Sequence, residues 1–119
     1  MADDRTTTVA ELRELVRAFV AERRWEKYHT PRNLAASVAV EAGELLELFQ
    51  WLTPEEAEAA RREGPLRAQV ADEVADVLAY VLALANVLEL DLARVLEQKF
   101  AKNRQKYPPE EYRGRYSRP

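Results

Sequence analysis

Two stretches of this chain, residues 31–52 and 65–88, repeat their apolar residues at helical spacing for roughly twenty residues each. Helices of that length extend about 30 Å. No strand-like alternation, internal repeat or linker interrupts the pattern. The chain is therefore expected to be all-α, with these two helices as its frame. Both are apolar around more than one side, so a single small bundle would leave part of that surface in water. A four-helix-bundle-type core completed by oligomerisation, most simply as a symmetric dimer, resolves this.

Each long helix also carries a pair of acids, Glu41-Ala-Gly-Glu44 in the first and Glu73-Val-Ala-Asp76 in the second. Residues three apart lie about 60° apart on one helical face. A carboxylate beside a packing face is costly unless it is paired or metal-bound. Trp51 follows Glu44 by seven residues and Tyr80 follows Glu73 by seven, so a continuous helix would put each aromatic farther along its acidic stripe. If the two helices face each other, four carboxylates converge and repel unless a cation joins them. An oxygen-only donor set suits magnesium, or manganese, better than zinc. Such ions bridge to phosphates and can activate water for in-line attack. The competing interpretation is a solvated acidic face with Trp51 and Tyr80 as ordinary core aromatics. A di-iron bundle would need Glu-x-x-His on its helices, whereas the one histidine, His29, lies in a break between helices.

The rest of the chain reads in order. A polar tail over residues 1–6 precedes a cap at Thr7 or Thr8, with Glu11 able to close a capping box, and a first helix over roughly 9–26. Thr30 caps the next helix and Pro31 begins it. Thr53-Pro54-Glu55-Glu56 opens a short, solvent-facing helix to about residue 62, and Gly64-Pro65 opens the second long one. Asp91 caps a last helix reaching about Lys106, and a mobile tail over 110–119 follows. A length of 119 residues and this uniform pattern imply one domain spanning 1–119. Apolar residues are 47% of the chain and charged ones 33%, the balance of a soluble helical protein. The net charge of -3 gives no pull toward nucleic acid. The absence of cysteine removes disulfides, zinc-thiolate sites and cysteine nucleophiles. The longest apolar run, Val77–Val87, is broken by Asn86 and is too short for a membrane, and the start of the chain has no signal-like apolar segment. A cytoplasmic protein is the expectation.

His29 sits among Trp25, Tyr28 and Asn33, which offer ring faces and an amide to a nucleobase; a structural loop histidine is the plainer alternative. Lys99, Lys102, Arg104 and Lys106 either complement a helix C-terminus or contact phosphate.

Taken together, E-x-x-E at Glu41 and Glu44, a gap over residues 45–72, and E-x-x-D at Glu73 and Asp76 resemble the signature of the MazG-like all-α nucleoside triphosphate pyrophosphohydrolases. WEKYHTPRNL (25–34), EAGELLELFQW (41–51), DEVADVLAY (72–80) and KFAKNRQKYP (99–108) look like the dCTP pyrophosphatase branch. The resemblance implies hydrolysis between the α- and β-phosphates, with Glu41, Glu44, Glu73 and Asp76 as magnesium ligands and catalytic acids. It also implies a base pocket of Trp25, His29 and Trp51, with Asn33 and Tyr80 near it. Lys99 and Asn103 would reach the phosphates, joined by Lys106 and Tyr107, and the unit would be a homodimer or dimer of dimers. Eukaryotic dCTP-directed members carry a histidine on the first helix where this chain has Val16, which removes a polar contact near the base. A non-catalytic helical module binding a nucleotide or a partner is the alternative of a different class.

Overall fold

A computed structural model describes residues 1–116 of the chain. All regular structure among them is helical. α1 spans Val9–Glu22, α2 Pro31–Glu47, α3 Pro54–Ala57, α4 Pro65–Leu88, α5 Leu92–Lys106 and α6 Pro109–Tyr112, with 3₁₀ turns at Glu26–Tyr28 and Glu58–Arg61. Two compact units result, Met1–Glu89 and a second beginning at Leu90.

The helix starts are set by side chains that satisfy the free N–H groups of a first turn. Thr8 accepts from Glu11 N–H at 3.1 Å while Glu11 accepts from Thr8 N–H, a complete capping box. Thr53 and Glu56 repeat that exchange for α3. Thr30 accepts from Asn33 N–H and Asp91 from Arg94 N–H. Gly64 precedes α4 at φ 154°, a conformation open to glycine.

α4 and α5 end at Leu88 and Lys106, as expected, whereas the ends of the earlier helices depart from expectation. The first helix stops at Glu22, not near 26, because Arg24 turns left-handed at φ 53°. Ala21 O then accepts from Arg24 N–H and Val20 O from Trp25 N–H, the Schellman closure. The first long helix stops at Glu47, and hydrogen-bonded turns fill 48–52. The short third helix is one α-turn followed by the 3₁₀ turn, with Ala57, Ala59 and Ala60 half-buried. Asp3 Oδ1 accepts from Arg5 N–H, Thr6 N–H and the Thr6 hydroxyl, forming a turn within the polar start. Residues 117–119, the end of the expected tail, lie outside the described residues.

In the first unit α2 and α1 both lie against α4. Leu34, Leu82, Ala83, Ala85 and Val20 are the buried apolar residues. Asn86, the polar interruption of the apolar run, pins α1: its Oδ1 accepts from Arg13 Nε at 2.9 Å and Arg17 Nη2 at 3.2 Å, and its Nδ2 donates to Arg13 O. Arg13 also donates to Ala85 O. In the second unit α5 contains no buried residue, and Tyr107 meets Tyr112 edge to face at 5.1 Å.

Candidate metal and nucleotide site

The contact between α2 and α4 brings the acids together. One carboxylate oxygen each from Glu41, Glu73 and Asp76 lies within 4.8 Å of the others. Glu41 and Glu73 are half-buried, and each has an Oε2 shielded from solvent with no hydrogen-bond partner. Among the described residues, none of the four acids is in an ion pair. Loss of water pushes the Glu41 carboxyl above the usual carboxylate range, and Glu44, Asp76 and Glu73 push it the same way. Glu73 is raised first by loss of water, then by the charges of Glu44 and Asp76 and contact with Glu44. Glu44 thus adjoins both residues.

Unpartnered, shielded carboxylate oxygens that repel one another are what a bound cation would resolve. The donors are all carboxylate oxygens, so the residues fit a hard divalent ion. Tyr80, one turn beyond Asp76 on α4, is half-buried on the same stripe. Trp51 lies past the end of α2 in the 48–52 turns and is 86% exposed. The helical angle expected to carry it along the Glu44 stripe is therefore broken at Glu47.

A second group of expected residues collects where α1 gives way to α2. Trp25 packs edge-on against Phe19 at 5.9 Å, with the Arg23 guanidinium 3.6 Å above the Phe19 ring. Asn33 Nδ2 donates to Tyr28 O at 3.1 Å, tying the 3₁₀ turn to the start of α2. His29 is half-buried and opens into a groove of about 400 Å³. Val16, Val20, Ala83 and Val87 form its apolar wall. Its polar lining is Arg17, Glu26, His29 and Asn86. Three of those four were not anticipated. The three-residue step from Glu26 to His29 and the lone polar residue in the α4 apolar run were the available signals. Lys99 and Asn103 lie one turn apart on α5 in the second unit, Lys99 exposed and Asn103 half-buried.

An all-helical chain with a carboxylate cluster between two helices defines a class of acid-lined helical proteins. A model of the MazG-like family matches residues 36–117. The chain belongs to that family. It is 42% identical over 107 residues to a dCTP pyrophosphatase 1 of Rattus norvegicus, covering 90% of this chain and 63% of the rat protein. A dCTP pyrophosphatase 1 of Homo sapiens is 42% identical over 101 residues, covering 85% and 59%. The chain thus spans less than two thirds of these relatives' length. A pyrophosphatase of Archaeoglobus fulgidus superposes with a TM-score of 0.76 at 39% identity, covering 91% of this chain and 99% of that one. No helix among the described residues is long and apolar enough to cross a membrane.

Proposed function

We propose that the protein is a magnesium-dependent nucleoside triphosphate pyrophosphohydrolase, with manganese as an alternative ion. Its substrates would be deoxynucleoside triphosphates, with dCTP or a modified pyrimidine deoxynucleotide preferred. The observation that carries this reading is the convergence of Glu41, Glu73 and Asp76 with shielded, unpartnered oxygens, in a chain of the MazG-like family. Glu41, Glu44, Glu73 and Asp76 hold the ion, which when bound neutralises polyphosphate charge and lowers the pKa of nearby water. Water adds to the α-phosphorus, the bond from that phosphorus to the bridging oxygen breaks, and pyrophosphate leaves with the oxygen. A site carboxylate takes the proton that water gives up. Trp25, His29 and Trp51 serve the base, Asn33 and Tyr80 support it, and Lys99 and Asn103 serve the phosphates. The setting is a cytoplasmic house-cleaning role, acting as a homodimer or homotetramer, with no nucleic acid or membrane as partner.

The test is product identification. Monophosphate plus pyrophosphate is expected, and diphosphate plus orthophosphate would discard the assigned bond. Glu44→Gln and Asp76→Asn should each cut turnover by about a hundredfold or more while leaving the helical circular dichroism unchanged. Full activity in either variant would remove that residue from the site.

A further inference from the structure

Apolar contact holds two helices together without fixing how one slides or rolls on the other, because it has no direction. Val20 is the one buried residue of α1, so burial leaves the register of α1 on α4 loosely specified. Hydrogen bonds do have direction, and three made by the Asn86 side chain join the two helices. Its Oδ1 accepts from Arg13 and Arg17, which lie one turn apart on α1. Its Nδ2 donates back to Arg13 O at 3.1 Å, and Arg13 donates to Ala85 O at 3.1 Å. A guanidinium donates and never accepts, so one orientation of the amide serves all three bonds. Anchor points on successive turns fix both sliding and roll, which a single bond does not.

An asparagine is otherwise a poor choice at this position. It forms helix less readily than leucine, and it interrupts the apolar run Val77–Val87 of α4. What the polar residue contributes is placement. Val16 and Val20 share the α1 face of Arg13 and Arg17, which recur at steps of three, one and three. Val16, Arg17 and Val20 line the groove together with Asn86. A roll of α1 by the angle of one residue, about 100°, would carry Val16 out of that wall. We propose that Asn86 is a positioning residue for the reaction: by holding both arginines it sets the roll and register of α1 on α4, and so where the groove wall stands against a bound nucleotide. The role is separate from that of the acids, which lie on α2 and α4. It rests on the reading of the chain as a nucleotide pyrophosphohydrolase for the identity of the substrate.

The experiment is steady-state hydrolysis of dCTP by the unmodified protein, Asn86→Leu and Asn86→Asp, far below the melting temperature of each. Leucine is similar in size and continues the apolar run but offers the arginines no acceptor. Aspartate keeps the acceptor, now charge-assisted, and loses the donation to Arg13 O. Asn86→Leu should raise KM about tenfold with kcat within about twofold, since the loss falls on binding and not on the chemical step. Asn86→Asp should return KM to within about threefold of the unmodified value. Arg17→Met, at an exposed position, removes one anchor point and should raise KM in the same direction. The rise in melting temperature on adding magnesium should be equal in all of them, since the acids are untouched. Unchanged KM in Asn86→Leu or Arg17→Met, a fall in kcat alone, a KM that Asn86→Asp does not recover, or a smaller magnesium shift in Asn86→Leu overturns the proposal. Binding of dCMP without metal, measured alongside, separates this claim from the reaction. Weaker dCMP binding by Asn86→Leu in a protein that releases no pyrophosphate removes the reaction and keeps the positioning role. Pyrophosphate release with KM and dCMP affinity unchanged removes the positioning role and keeps the reaction. An unmodified protein that neither binds dCMP nor hydrolyses dCTP overturns both.

Discussion

At the scale of the residue, Glu41 and Glu73 are held in a state that disfavours their own ionisation. Folding raises both carboxyl pKa values, chiefly through loss of water. A folded state that binds protons more tightly than the unfolded chain loses stability as pH rises. The contribution is complete below the unfolded value, about 4.3, and fades as pH climbs through the raised values. We predict that the metal-free protein, followed by thermal melting, loses stability across that window, and that Glu41→Gln raises its melting temperature at neutral pH. In the same variant added magnesium should shift the melting temperature less than in the unmodified protein, since binding to the folded state alone is what stabilises. A larger shift in Glu41→Gln would remove Glu41 from the ion's donors. The acids were legible in the sequence because a three-residue step on a helix fixes a common face without reference to anything distant. Glu26 was not, since a charged residue in a helix break acquires its neighbours only when α1 meets α4.

At the scale of the element, starts were more readable than stops: α4 and α5 end where the sequence placed them, and α1 and α2 end several residues early. Thr8, Thr30, Thr53 and Asp91 cap by local side-chain hydrogen bonds, which depend on residue type at a fixed offset. The stops of α1 and α4 use Arg24 and Glu89 in the left-handed region, at φ 53° and 55°. Glycine normally marks that position, and neither site has one. The end of α4 was still located because the Asp91 cap follows so closely. We predict that Glu89→Gly stabilises the protein by roughly 0.5–1 kcal/mol in urea unfolding, since it relieves the left-handed cost of a side chain. Thr8→Ala should lower stability by about 1 kcal/mol. A loss of stability in Glu89→Gly, or none in Thr8→Ala, would show that capping at that end is decided elsewhere.

At the scale of the whole molecule, the first unit leaves apolar surface open where a single chain has nothing to place on it. Val74, Leu78 and Val81 of α4 are 49%, 46% and 36% exposed, and Leu46 of α2 is 63% exposed. The same α4 stripe is buried one step farther on at Ala85, where Arg13 of α1 donates to its carbonyl. The shorter α1 thus closes one end of a face that α4 extends. We predict that the protein sediments as a homo-oligomer and that Leu78→Lys reduces its mass toward that of one chain while keeping its helical content. A monomeric unmodified protein would overturn this. The continuity of α4 has one more consequence. Its acids and the groove wall belong to one unbroken rod, so the two are related as marks on a ruler, in angle as well as in distance. One residue added between Asp76 and Ala83 would swing the two marks 100° apart, as each helical residue does. Seven added would nearly restore the angle and lengthen the scale by about 10 Å. An insertion within α4 should therefore disturb the relation between acids and groove, whereas the same residue added in a loop should leave it intact.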